Sequence, residues 1–355
     1  MTLFSWFCGT GQHYPRDRRV TGVLHSKWQI FHSKEVQSMW TLVRRSIWAC
    51  TAVVLFFTAC GLVLAEQEDS FTVVLLPDTQ NYSEKYPDTY VAQTLWIRER
   101  RKADNIKFAI HLGDIVQTPT IESEWKNADR AMKILDGVVP YSMAPGNHDM
   151  NVRTRDSSLY NQYFPAARFR EESWYGGHMG QSNDNNYCFF HACGMKFMVL
   201  NLEFAPPDDV LEWAAGITQQ YTDHLVIVAT HCYMRTDGRD TGCASGYDTA
   251  NNGEQMWQKF IRKQPNIFLV VSGHVMGVAL QTSTNDAGGK VLEMLTDYQG
   301  LANGGDGWLR SLKFVPGENK INVETYSPVL DKYNNAPHET FSIEYELKAS
   351  QRKAG

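Results

Sequence analysis

From residue 71 onward, short unbroken apolar runs alternate with longer runs in which apolar positions recur every three or four residues. FTVVLL, KFAIHLGD, VPYSMAPGN, KFMVLNLE, HLVIVATH and NIFLVVSGH are rich in β-branched and aromatic residues, nearly free of charge and bounded by turn-forming residues. Such runs predict strands buried on both faces. TYVAQTLWIRERRKA, ESEWKNADRAMKILD, DVLEWAAGITQQY and EQMWQKFIRK carry the spacing of helices. Trp96, Trp125, Trp213 and Trp257 fall among the aliphatic positions of those helices and are expected in the core. The alternation implies α/β layers. Beyond residue 285 the helical period stops, and KVLEMLTDYQ, WLRSLKFV, KINVETYS and FSIEYEL read as successive strands, expected to build a second sheet on the first. No repeat, low-complexity tract or linker interrupts residues 70–348, so residues 66–348 read as one domain and 349–355 as a tail.

The amino end is patterned differently. SIWACTAVVLFFTACGLVLA, residues 46–65, runs for 20 residues without a charge, behind Arg44 and Arg45 and ahead of EQEDS. Basic residues before an apolar stretch hold the amino end inside, so the chain beyond it is carried across a membrane. The stretch suits two fates: a signal cleaved after Val63-Leu64-Ala65, or an uncleaved anchor, since roughly 20 apolar residues also span a bilayer. Residues 1–38 show neither period, and a signal begins naturally at Met39. The expected protein therefore starts at Met39, with residues 1–38 a mis-assigned or disordered extension and 39–65 the leader. Its domain is expected to be exported, periplasmic or extracellular, and to touch a membrane only if the leader stays attached.

With 355 residues, 43% of them hydrophobic, the chain has ample material for a large core. Its formal net charge is −5; without residues 1–65, 27 basic residues face 37 acidic ones and the charge falls near −10. That field disfavours non-specific binding to nucleic acid or an anionic membrane, and no nucleic-acid specificity is evident. Four cysteines lie beyond the leader, and in an exported protein they allow two disulfides. YCFFHACGMKF resembles a hairpin that sets Cys188 against Cys193, while Cys232 and Cys243 bracket a polar loop; four buried free thiols are the alternative.

Five strand ends carry metal-binding groups: Asp78 in PDTQ, Asp114 in HLGD, Asn147 and His148 in PGNHD, His231 in IVATH and His274 in VVSGH. Each alone has an ordinary explanation as a turn, a cap or a hydrogen-bonded imidazole. In sequence order they point to one cation site, because ligands of such sheets collect beyond the strands' carboxyl ends.

These residues resemble the calcineurin-like metallophosphoesterases, whose motifs are DxH, GD, GNH[DE], a later H, and GHxH. Here they read PDTQ, GDIV, GNHD, TH and GHVM, and the tail with DYQ, GGDGWLR and TYSP is similar to a bacterial subgroup that also carries PDTQ. The resemblance implies a four-layer α/β sandwich, two mixed β-sheets flanked by helices. It implies an enzyme that hydrolyses a phosphomonoester or phosphodiester through metal-activated hydroxide, on a small-molecule or, given the leader, an exported substrate. It also implies two divalent or trivalent metal ions, Mn, Fe or Zn. Asp114 would bridge them, and Asn147, His231 and His274 would hold the second. The first would take Asp78, with Gln80 and Met276 standing where the family has His. An amide oxygen is a weaker donor than imidazole and a thioether a soft one, so one tight and one weaker ion are expected. Tyr298, Gln299, water and substrate oxygens are the candidates to complete the weaker site. His148 and Asp149 fill the catalytic pair: the imidazole assists the leaving oxygen, and the carboxylate holds it in the charged tautomer. Among Arg153, Arg155, Arg235 and Arg239, one at most is expected to touch substrate. The rival reading is a phosphate- or nucleotide-binding protein that keeps one metal and has lost turnover.

Overall fold

FTVVLL forms a strand, β1 (Phe71–Leu76), buried at every position: Phe71, Val73 and Leu75 face one layer and Val74 and Leu76 the other. The computed structural model describes residues 68–247 and 249–347. The expectations for the leader, for the start at Met39 and for the 349–355 tail concern residues outside that range. After β1 come α1 (Gln80–Glu84), α2 (Pro87–Arg100), β2 (Ile106–His111), α3 (Glu122–Met132), β3 (Tyr141–Ser142), α4 (Ser158–Tyr163) and α5 (Ala166–Phe169). The chain then crosses to β4 (Tyr175–His178), β5 (Asn186–Ala192), β6 (Met195–Leu202), α6 (Asp208–Gln220), β7 (Leu225–Thr230) and the short β8 (Met234–Arg235) and β9 (Gly238–Arg239). There follow α7 (Gly253–Lys259), β10 (Ile267–Ser272), β11 (Gly277–Thr284) and β12 (Lys290–Asp297). The remaining strands are β13 (Leu309–Val315), β14 (Lys320–Ser327), β15 (Lys332–Asn334) and β16 (Phe341–Glu344).

Two seven-stranded mixed sheets result, one ordered β15-β14-β13-β1-β2-β3 with β16 also on β14, the other ordered β11-β12-β10-β7-β6-β5-β4. Their facing sides share a core that includes Phe71, Phe108, Phe190, Phe197, Leu269 and Phe314. The rings of Phe190 and Phe197 stack there at 4.7 Å. On the outer face of the first sheet, Val74, Leu76 and Ala109 meet Tyr90 and Ile97 of α2 and Trp125 of α3. On the outer face of the second, Leu200, Val228 and Val270 meet Leu211 of α6 and Trp257 of α7. Helix, sheet, sheet and helix are the four layers that the resemblance implies.

Three expectations change. The strands beyond residue 285 do not build a sheet of their own: β12 lies parallel to β10, and β13 pairs antiparallel with β1, from Phe71–Phe314 to Leu75–Arg310. The reason is that β1 and β10, buried on both faces, need a ladder partner on either side. Trp125 and Trp257 are core, but Trp96 and Trp213 are half-buried, and Trp96 stacks on Tyr326 at 5.2 Å. Cys188 and Cys193 are free, because Ala192 pairs with Met195, which puts Cys193 in a two-residue turn and Cys188 opposite Val199. Cys232 and Cys243 are bonded.

A non-reducing peptide map should recover Cys232 joined to Cys243, while alkylation of the folded chain should label Cys193 and spare buried Cys188. Cys243→Ser should lower stability to urea by roughly 2–4 kcal/mol, as loss of a short closed loop predicts.

Candidate metal centre

The loops after β1 and β2 meet those after β7 and β10. Thr79 N–H donates to the Asp114 carbonyl at 3.0 Å, and Gly273 N–H to the His231 carbonyl at 3.1 Å. Asp114 and His274 both hold left-handed backbone, with φ of 47° and 73°. Side-chain-bearing residues rarely adopt that conformation, and it persists where the surroundings impose it. Two glycines permit the close approach: a Cβ on Gly146 would collide with the Asp114 carboxylate, and one on Gly273 with that of Asp78.

His231 fixes the second site. Its Nδ1–H donates to the Leu112 carbonyl at 2.9 Å, which turns Nε2 toward the site. That Nε2 lies 3.1 Å from Asp114 Oδ2, 3.1 Å from Asn147 Oδ1 and 3.2 Å from His274 Nδ1. Four potential ligand atoms thus converge, with both imidazoles among them, which is the donor set of a borderline transition-metal ion. Asp114 Oδ1 accepts from His148 N–H at 2.9 Å.

The first site is made of oxygens. Asp78 Oδ2 accepts from His274 N–H at 3.0 Å, whereas Asp78 Oδ1 and Gln80 Oε1 are buried without a hydrogen-bond partner. Such orphaned acceptors are costly unless something else satisfies them, and a cation does so. The residues present therefore fit two ions. Met276 is not brought to the others: its side chain is 63% exposed and its sulfur rests against Gly300. Tyr298 is not available either, because its hydroxyl bonds Thr325 at 3.1 Å and Glu339 at 2.7 Å. Gln299 commits its amide to Asp297 Oδ2 at 3.0 Å and to the His274 carbonyl at 3.3 Å.

The buried carboxylates draw positive charge toward them. Burial, and after it the charge of Asp297, pushes the Asp78 carboxyl well above its usual range. Burial opposes charge on His231, but Asp114 and Asp78 outweigh it and raise the imidazole to about 10. His274 is held down to about 4 by burial and by the neighbouring His231. A cation bound here competes for the place of the proton on His231.

His148 and Asp149 part company. The Asp149 carboxylate does not reach the imidazole; it accepts the N–H groups of Ile115 at 3.0 Å, Val116 at 2.9 Å and Gly146 at 2.8 Å. It staples the GDIV loop to the GNHD loop. Those convergent donors, set by the tight turn, are a better fit for a carboxylate than the adjacent ring. His148 is held instead by the Gln117 carbonyl, which accepts from Nδ1–H at 2.7 Å. Gln117 N–H and Thr118 N–H in turn donate to Glu124 Oε2, each at 2.8 Å.

Sequence reasoning missed Glu124 and Asp297, and it missed His111, which takes the Gly113 N–H on Nδ1 at 3.1 Å and lies 3.0 Å from the Thr79 hydroxyl. Asp297 could have been found, since KVLEMLTD ends on a carboxylate as HLGD does. Glu124 and His111 show only once the loops are folded together. Two of the four arginines are structural: Arg155 bonds Glu203 and the Phe204 and Ala205 carbonyls, and Arg239 bonds Glu293, Glu254 and Ser283. Arg153 and Arg235 stay exposed.

Residues 71–277 match the family model of the calcineurin-like phosphoesterases. The chain is 32% identical over 301 residues to YvnB of Bacillus subtilis (strain 168), an alignment that covers 81% of this chain and 22% of that protein. It thus spans about a fifth of that relative's length. A purple acid phosphatase, PPD1, from yellow lupin (Lupinus luteus) seeds superposes with a TM-score of 0.50 at 12% identity, over 79% of this chain and 55% of the other. At that identity the likeness is one of fold.

Asp149→Ala would leave three buried N–H groups without an acceptor, at about 1–3 kcal/mol for each that water does not reach. Urea unfolding should therefore show a loss of about 3 kcal/mol or more, with Asp149→Asn, which keeps one acceptor oxygen, losing less.

Proposed function

The chain belongs to the calcineurin-like phosphoesterases, hydrolases of phosphoester bonds, and from that premise we propose that it cleaves an exported or small-molecule phosphomonoester or phosphodiester at the centre around Asp114. The convergence of Asp114 Oδ2, Asn147 Oδ1 and His274 Nδ1 on His231 Nε2, all within 3.2 Å of it, carries this reading. Asn147, His231 and His274 with Asp114 would hold a tight ion, Zn, Mn or Fe by the chemistry of the donors; Asp78 and Gln80 with Asp114 would hold the other, more labile one. Ions bound there supply charge for the phosphoryl oxygens and acidify a water at neutral pH.

The chain's own residues do the rest. With its Nδ1–H committed to Gln117, His148 has Nε2 left to give a proton to the departing oxygen. Glu124 fixes that geometry through Gln117, and Asp149 keeps the His148 loop against Asp114. Arg153, exposed near this loop, is the arginine placed to meet phosphate; Arg235, exposed after His231, pairs with Asp240 at 3.4 Å. The rival role, a binding protein without turnover, has no use for an imidazole oriented in this way.

Export follows from the 46–65 segment, which lies between an arginine pair and EQEDS. Mass spectrometry of the protein recovered from outside the cytoplasm should find Glu66 at its amino end and no peptide from residues 1–38. A membrane-bound product that retains residues 46–65 would make the segment an anchor.

His148→Ala should retain metal and lose about 10²–10⁴-fold in turnover, the range of a general acid. His274→Ala should lose the tight ion itself. Metal analysis, paired with hydrolysis of an aryl phosphate monoester and an aryl diester, separates the two and shows which ester is preferred. Equal loss of metal in both variants would contradict the roles.

A further inference from the structure

We propose that Asp297 is a ligand of the first ion, and that it makes this site one built wholly of oxygen, matched to a hard divalent cation such as Mn²⁺ or Mg²⁺ and not to zinc. The proposal rests on the two-ion reading above. It gives the two ions different chemistry, borderline beside His231 and His274 and hard beside Asp78.

Register places Asp297 at the site. Where β12 runs parallel to β10, Ser272 pairs with Leu295, so two residues further on Asp297 is level with His274. In the β11–β12 ladder Gly277 pairs with Asp297, which sets the carboxylate next to the position of Met276. Gln299 locks it there: its N–H donates to Oδ1 at 2.8 Å, and its amide bridges Oδ2 and the His274 carbonyl. His274 N–H in turn holds Asp78 Oδ2. Asp78, Asp114 and Asp297 are 2%, 1% and 1% exposed, and among the described residues no Lys or Arg forms an ion pair with any of them.

Three buried carboxylates that share one imidazole, His231 against Asp114 at 3.1 Å, and no Lys or Arg partner among the described residues favour a cation beside them. The unpartnered Asp78 Oδ1 and Gln80 Oε1 say where it sits. Met276 serves elsewhere, since with Val278 and Leu301 it walls a cavity of about 320 Å³ that Asp297 also lines. Carboxylate and amide oxygens favour Mg²⁺, Ca²⁺ and Mn²⁺, whereas imidazole favours Zn²⁺. The weak point left by Gln80 and Met276 is therefore weak toward zinc alone.

The test counts ions by a method independent of turnover. The full-length chain, loaded with one equivalent of Zn²⁺, is titrated with Mn²⁺ while electron paramagnetic resonance reports the free ion. Wild type should take up one Mn²⁺ per chain, displaced by excess Mg²⁺. Asp297→Asn, which keeps an oxygen for Gln299 N–H, should weaken Mn²⁺ by at least the roughly 10–100-fold that loss of an outer-shell partner costs, and should keep its Zn²⁺. A second ion bound equally by wild type and Asp297→Asn overturns this proposal alone. A wild-type chain that takes up no Mn²⁺ beyond its Zn²⁺ overturns the two-ion reading and the proposal with it.

Discussion

Lone pairs that point at one another hold the key to this structure. At the carboxyl ends of four strands, carboxylate, amide and imidazole groups gather within about hydrogen-bond distance of His231 Nε2, and the donors beside them are already committed, His231 Nδ1–H to Leu112, His148 N–H to Asp114 Oδ1 and His274 N–H to Asp78 Oδ2. Acceptors desolvated in this way repel one another unless positive charge lies among them. The fold has to supply the energy that keeps them together.

It does so through backbone more than through side chains. Two sheets packed on a shared aromatic core bring the ends of β1 and β2 against those of β7 and β10. Gly146 and Gly273 remove the atoms that would hold those ends apart, and Asp114 and His274 accept left-handed backbone to turn their side chains inward. Asp149 and Glu124 then clamp the loops by accepting backbone N–H groups. On the far side, Arg239, packed 3.9 Å above the Trp257 ring, reaches the fully buried Glu293, and the Cys232–Cys243 bond ties the loop that comes after His231. The buried carboxylates are satisfied in two ways, Asp149, Glu124 and Asp240 by backbone N–H groups and Asp184, Glu203 and Glu293 by side-chain donors, and that is how a net-negative chain tolerates them inside.

Much of this is legible in the sequence because strands buried on both faces leave a plain signature, unbroken apolar runs that stop abruptly at Asp, Asn or His. The α/β layers, the helices and the ordered strand ends are all of that kind. The features that escape the sequence depend on pairing. That β13 joins β1, that β12 carries Asp297 to His274, and that the hairpin sets Cys188 opposite Val199 with Cys193 in its two-residue turn are facts of register, which local pattern does not encode. The partner of His148 is hidden for a related reason: adjacency in sequence suggests Asp149, but the tight turn aims that carboxylate at three amides and gives the ring to Gln117. Half-buried Trp96 and Trp213 show that helical spacing names a face without saying how far along the helix its cover extends.

An arrangement of acceptors around Asp114 for two cations has a direct crystallographic signature. Anomalous diffraction from crystals grown with Mn²⁺, recorded on both sides of the manganese edge, tests it most directly. Two peaks should flank the Asp114 carboxylate, one among Asn147, His231 and His274 and one facing Asp78, Gln80 and Asp297. Peaks elsewhere on the molecule, or none beside Asp114 at saturating Mn²⁺, would contradict it.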